Sequence, residues 1–283
     1  MLARIFAVAC DANYEPGLHA LLNSLWVYYR GELAIFVYHR GLSRESLERL
    51  AGHPNRPHLH HTTELPFPAA GMWEAKQQVF AHCIGRACSV YLLDADLVLT
   101  SRVDDVFELA EQGRIVSSAD GGVQTFGPDY MVYGRQLPGT RMPYVNSGAL
   151  CLDVNRHWDL AGLWAFASQF GSYSPHQGHP LRLPGHGDQG TFNAIAALLG
   201  KAAELHVLPE ANWCDSTQGS SLQIKGVTPD GGLEVWNVVT QERQRLVHSS
   251  GPKWWTECGR AHLQRFGDKL RCFEHFQNYA PTE

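Results

Sequence analysis

Strand-length apolar runs alternate with helically spaced apolar residues through the first third of this chain, and that alternation leaves few folds open. Ile5 to Cys10 reads as a buried strand, and Asp11-Ala12-Asn13-Tyr14 as the polar turn after it. Leu18, Leu21, Leu22, Leu25 and Trp26 then fall on one helical face. Leu33 to Tyr38 is a second strand. Ser43 to Leu50 is a short helix that Ser43 can cap, with Glu45 and Ser46 in its first turn. Trp73 to Arg86 is another helix, and Ser89 to Leu93 a strand ending at Asp94. Such alternation builds βαβ units, so the expected class is α/β, a Rossmann-like, mostly parallel central sheet flanked by helices.

Beyond that point the pattern loosens. Ile115 to Ser118 and Gly148 to Asp153 read as strands, and Trp158 to Phe170 and Thr191 to Leu199 as helices. Gly171 to Gly187 is a Gly-, Pro-, Ser- and His-rich loop of the length expected for a lid or a binding loop. Its His176, His179 and His186 lack cysteine or acidic partners at ligand spacing and read as solvated. Leu222 to Val239 is a hairpin turning at Pro229-Asp230-Gly231-Gly232, and Arg260 to Phe276 a tail helix. Neither repeat nor linker interrupts the chain. One domain over 1–283 is therefore expected, with a more regular half (1–118), a less regular half (119–259) and the tail (260–283).

Composition removes several classes of function. Apolar residues make up 44% of the chain, enough for a substantial core. The formal charge of −5 argues against a nucleic-acid partner. No apolar stretch has the length of a membrane span, and Asp11 interrupts the N-terminal apolar run too early for a secretory leader. Seven cysteines without a CxxC read as reduced thiols in a cytoplasmic protein.

Tyr91-Leu92-Leu93-Asp94-Ala95-Asp96-Leu97-Val98-Leu99 carries the chemistry. A buried strand delivers two carboxylates at its C-terminal end, where open α/β sheets bind ligands. Two adjacent carboxylates repel unless a cation lies between them, so a divalent metal is their natural partner. A turn with solvated aspartates is the plain alternative. Asp94-Ala95-Asp96-Leu97-Val98 also fits the DxDx(T/V) string of haloacid-dehalogenase-like phosphotransferases, with Asp94 as nucleophile. That motif normally opens its fold, whereas strands precede it here, and Asp104-Asp105 lies too close to serve as a later acidic motif.

Further segments favour a sugar-nucleotide site. These are Asp11-Ala12-Asn13-Tyr14, Lys76 on its helix, Asp94-Ala95-Asp96, Asn146-Ser147-Gly148, Asp188-Gln189, and His248-Ser249-Ser250-Gly251-Pro252-Lys253. In this order they resemble glycosyltransferase family 8, the retaining GT-A fold enzymes that include bacterial lipopolysaccharide galactosyl- and glucosyltransferases and glycogenin. The resemblance runs from Ile5 to about Trp254, patchily between Thr100 and Arg141 and weakly between Asn155 and Gly185. It implies a GT-A fold with a smaller acceptor-side region and a C-terminal helix, the nucleotide bound by 1–118 and the donor sugar and acceptor by 119–259.

The resemblance also implies roles. Asp94, Asp96 and His248 would hold the metal, and one imidazole among oxygens favours Mn²⁺ over Mg²⁺. Asp11 and Asn13 would bond uracil or ribose and Tyr14 would stack on the base, although Asp11 or Asn13 also suits a helix cap. Lys76 and Lys253 would face the diphosphate or sugar, and Ala95, Asp120, Asn146, Ser147 and Gly251 would complete donor binding. Asp188 would orient the donor sugar, with Gln189 on the face opposite the leaving group. An amide is a poor nucleophile, so the acceptor hydroxyl would attack on the leaving-group face with retention. Lys253 stands one position early and Trp254 replaces the motif's proline, so the resemblance assigns Lys253 its role less firmly than it assigns His248.

The expected partners are a UDP-sugar and a glycan, protein or small-molecule acceptor. The hairpin at Leu222 to Val239 is unusual for the family and offers a surface to a partner or acceptor. Arg260, Arg265, Lys269 and Arg271 on the tail make at most a weak peripheral membrane contact. A catalytically silent UDP-sugar-binding protein is the alternative reading.

Overall fold

The computed structural model describes residues 1–126, 131–132, 135–136, 139–170, 187–209 and 221–280. The loop expected at Gly171 to Gly187, with its three histidines, lies outside the described residues except for Gly187. The chain first lays down β1 (Leu2–Asp11), α1 (Glu15–Tyr29), β2 (Ala34–Arg40), α2 (Arg44–Ala51), β3 (His58–His61), α3 (Met72–Cys83) and β4 (Ala87–Asp94). Next come β5 (Leu97–Leu99), α4 (Asp104–Glu111), β6 (Ile115–Phe126), β7 (Met131–Val132), β8 (Arg135–Gln136) and β9 (Thr140–Asp153). The rest comprises α5 (Trp158–Ala167), α6 (Gly187–Leu198), β10 (Leu205–Leu208), β11 (Leu222–Val227), β12 (Leu233–Asn237), β13 (Glu242–Arg243), β14 (Leu246–His248), α7 (Glu257–Leu263) and α8 (Lys269–Gln277).

Seven strands form the central sheet in the order β10-β6-β9-β4-β1-β2-β3. All its pairings are parallel except those of β9 with β4 and β6. The continuous apolar runs of β1 and β4 follow from burial on both faces. Ile5, Ala7, Val90 and Leu92 meet α3 and α5 on one side, while Phe6, Val8, Tyr91 and Leu93 meet α1 and α4 on the other. The architecture is the expected mixed α/β sheet with helices on both faces.

Local chemistry explains where elements start. Ser43 caps α2 by accepting the Ser46 N–H at 3.0 Å. On α1, Leu18, Leu21, Leu22 and Leu25 are buried as the spacing predicts, but Trp26 is only partly buried and has the Arg30 guanidinium over its ring. Every described cysteine is free.

Four features depart from expectation. β3 carries histidines rather than an apolar run, because an edge strand buries no complete face. β6 and β9 run far beyond their expected ends because they pair antiparallel from Val116–Cys151 to Phe126–Thr140, so Asp120 lies within a strand rather than in a turn after one. The tail is two helices instead of one. Gly267 between them adopts φ +63°, and a Cβ there would lie 2.3 Å from the Leu222 carbonyl oxygen. Finally, the hairpin is docked: Leu222, Leu233 and Val235 are buried with Trp254, Phe273 and Phe276.

Much of the tail's charge is paired within the tail or buried. Arg260 pairs with Glu274, Arg271 with Asp268 at 2.8 Å, and Lys269 is buried. No described helix is long and apolar enough to cross a membrane.

Candidate active site

β1 and β4 run parallel with Ala9 opposite Asp94, so both carboxyl ends open on one side of the sheet. The turn after β4 leads into β5, which pairs antiparallel with β14 and sets Leu97 opposite His248. The Ser249 N–H donates to the Asp96 carbonyl at 3.0 Å. Two segments distant in sequence are thereby clamped side by side, and Asp94, Asp96 and His248 converge.

Their ligand atoms lie within 4.8 Å of one another. His248 Nε2 is 3.3 Å from Asp96 Oδ1 and 3.9 Å from Asp94 Oδ2. Burial pushes the Asp94 carboxyl up against the pull of Lys76, and the neighbouring Asp96 charge adds to the rise. Burial would raise Asp96 too, but His248 and Lys253 hold it well below the usual carboxylate range. Two hard oxygens and one imidazole at this separation suit a single divalent cation.

Gly148 on β9 keeps that space open. A Cβ there would lie 2.8 Å from Asp94 Oδ2, 2.8 Å from Asn146 Oδ1 and 3.0 Å from His248 Cε1. Gly148→Ala is therefore expected to weaken Mn²⁺ binding about 10- to 100-fold, as disturbed ligand orientation typically does. Calorimetric titration with MnCl₂ checks this; an unchanged affinity would show that the cradle does not receive the ion.

Lys76 on α3 forms a second hub. Its buried ammonium donates to Asp94 Oδ1 at 2.7 Å, Asp188 Oδ2 at 2.8 Å and Ser147 Oγ at 3.3 Å. Burial favours the neutral amine, yet the charges of Asp188 and Asp94 outweigh it and raise Lys76 above the ordinary lysine range. The resemblance set Lys76 facing the diphosphate or sugar; the anions it meets in the structure are the protein's own Asp94 and Asp188.

The first turn of α6 supplies Asp188 and Gln189. Ser147 Oγ donates to Asp188 Oδ2 at 2.8 Å, and the Ser147 N–H donates to Gln189 Oε1 at 3.2 Å. Gln189 Nε2 donates to Asp120 Oδ2 at 2.6 Å. Both ends of the Gln189 amide are thus engaged, and Asp120 belongs with it. Asn146 Oδ1 accepts the Gly148 N–H at 2.6 Å.

A cleft of about 450 Å³ joins these groups, and of the residues singled out in the sequence all but Asn13 line it. Asn13 is exposed, and its N–H donates to Asp11 Oδ1 at 2.9 Å, so Asp11 does act as a cap. Tyr14 packs edge-on to Trp255, ring centres 5.6 Å apart, and burial raises its hydroxyl. Ala9, Met72, Trp73, Gly148, Gly187 and Ser250 also line the cleft and were not singled out as site residues. Gly148 and Ser250, each inside a quoted motif, carried a signal that could have found them.

Among the described residues, the cleft walls carry five carboxylates (Asp11, Asp94, Asp96, Asp120, Asp188) against two ammoniums (Lys76, Lys253). An anionic ligand is repelled by such a lining unless a cation accompanies it.

Neither a family model nor a curated protein matches this sequence. Among solved structures, the chain is similar to the galactosyltransferase LgtC in complex with donor and acceptor sugar analogs, with a TM-score of 0.61, 12% identity, and 99% of this chain and 97% of that chain covered. It is also similar to the apo bifunctional glycosyltransferase WbbM, with a TM-score of 0.60, 13% identity, 99% of this chain and 50% of that one. At these identities the likeness establishes the fold, the GT-A fold of the glycosyltransferases.

Proposed function

We propose that this protein is a metal-dependent, retaining glycosyltransferase of the family 8 type that moves a hexose from a UDP-sugar to an acceptor hydroxyl. The observation that carries the reading is the convergence of Asp94, Asp96 and His248 at the carboxyl end of the sheet, inside a cleft too acidic to take a diphosphate unaided. The fold adds support. Asp94, Asp96 and His248 would hold a divalent cation, Mn²⁺ by preference, which would supply Lewis-acid stabilisation of the leaving diphosphate.

The remaining roles belong to side chains. Tyr14 would receive the uracil ring, with Asp11 and Asn13 at the base or ribose. Lys253 would answer the diphosphate, with Ala95 and Gly251 lining its path. Asp188, Asn146 and Ser147 would bind sugar hydroxyls and fix the ring, while Lys76 holds Asp188 and Asp94 in place. Asp188 is the residue assigned to orient the anomeric carbon.

Gln189 would lie beside the sugar, its amide held by the Ser147 N–H and by Asp120. An amide restrained at both ends is a poor nucleophile, which favours attack by the acceptor hydroxyl on the leaving-group face. The departing diphosphate would take the acceptor proton, and the sugar would carry oxocarbenium-like charge as in glycoside cleavage.

The test is UDP release from UDP-glucose, UDP-galactose and UDP-N-acetylglucosamine, each with Mn²⁺ and with EDTA. Release from one donor that EDTA abolishes and Mn²⁺ restores is expected. Tight donor binding without release over hours would instead identify a silent binding protein, and phosphate release from a phosphomonoester would overturn the glycosyl-transfer reading.

A further inference from the structure

Lys253 is where the chain departs from the motif it resembles, and its surroundings give the departure a purpose. Its ammonium donates to Asp96 Oδ2 at 2.5 Å and to the Ser249 carbonyl at 3.2 Å. The same ammonium stands 5.2 Å from the centre of the Tyr14 ring, at cation–π range. One cation thus touches both halves of the donor site: a carboxylate of the metal group and the ring assigned to the base. Resting on the function proposed above, we infer that Lys253 is an internal counter-ion that couples metal binding to nucleotide binding. It holds Asp96 until a metal and a diphosphate arrive together, then passes to the diphosphate.

Three observations support this exchange. The Asp96 side chain is 3% exposed, with Oδ1 toward His248 and Oδ2 on Lys253. An incoming cation therefore meets a carboxylate already neutralised and gains less from it than from a bare one. The Lys253 side chain is 22% exposed, so it has room to leave. Lys76, by contrast, is buried among three partners and is not exchangeable.

The backbone of Lys253 stays fixed while its side chain moves. Trp254 is fully buried and stacks on Phe273 with ring centres 5.5 Å apart. A Cβ on Gly259 would lie 1.8 Å from the Lys253 carbonyl oxygen, so α7 is seated directly against this residue. The side chain alone has freedom to swing. A diphosphate in the cleft offers it a replacement anion, and a base at Tyr14 competes for the ring it now faces.

The test measures Mn²⁺ affinity by calorimetry, with and without UDP, for the wild type and for Lys253→Met and Lys253→Gln. The glutamine variant keeps a donor toward Ser249 and guards against a folding defect in the methionine variant. Wild type is expected to bind Mn²⁺ weakly alone and at least about tenfold more tightly with UDP. Both variants are expected to bind Mn²⁺ alone about tenfold more tightly than wild type, with UDP adding correspondingly less. Unchanged or weaker Mn²⁺ binding in the variants would overturn the inference and make Lys253 a fixed support for Asp96. Wild type that binds Mn²⁺ but never UDP would instead sink the donor assignment on which the inference stands.

Discussion

Lys76→Met is expected to lower folding stability by about 3–5 kcal/mol, the usual cost of removing one partner from a buried ion pair. Methionine fills similar volume, so packing changes little and charge accounts for the loss. Without the ammonium, Asp94 and Asp188 face the same buried point with no cation between them. The loss depends on pH, and its sign follows from Asp94. That carboxyl is already raised by burial, and removing Lys76 raises it further. A carboxyl raised in the folded state contributes stability that is complete below the ordinary carboxylate range and lost as pH rises from there through the raised value. The deficit should therefore be small near pH 4 and full at neutral pH. Urea unfolding at several pH values measures it; a neutral-pH loss below about 1 kcal/mol would show that Lys76 does not hold the two carboxylates.

Asp96→Asn is expected to cut metal-dependent turnover about a thousandfold, roughly 4 kcal/mol of transition-state stabilisation, while leaving the fold intact. The amide retains the shape of Asp96 but gives up the charge that the cation requires. Lys253 then loses its counter-ion, and its partial exposure lets it turn to water. UDP release at saturating Mn²⁺ gives the turnover, and calorimetric titration gives the metal affinity. Retention of more than about a tenth of wild-type turnover would mean that Asp96 is not a ligand of the working ion.

Wherever local pattern and tertiary role coincide, the fold was legible. The apolar runs at Ile5–Cys10 and Ser89–Leu93 sit in the middle of the sheet because only a strand buried on both faces needs such a run. β3 escaped because an edge strand makes no such demand. The extended β6–β9 ladder escaped because its register depends on pairing between distant segments, and Gly267 hid the break in the tail behind an unbroken helical spacing of apolar residues.

In the candidate site, every residue named from the sequence except Asn13 reaches the cleft. Residue identity announces chemistry: two aspartates one residue apart at a strand end ask for a cation wherever the chain goes. What the sequence determined by itself was therefore the α/β class and the set of charged groups that must find partners. Only the tertiary structure decided which partners they find. The antiparallel pairing of β5 with β14 brought His248 to Asp96, and the packing of α3 over β1 and β4 and of α6 over β9 turned Lys76 toward Asp94 and Asp188 instead of solvent. Coulomb energy depends on separation and on burial, and a linear order of residues specifies neither until the chain has folded.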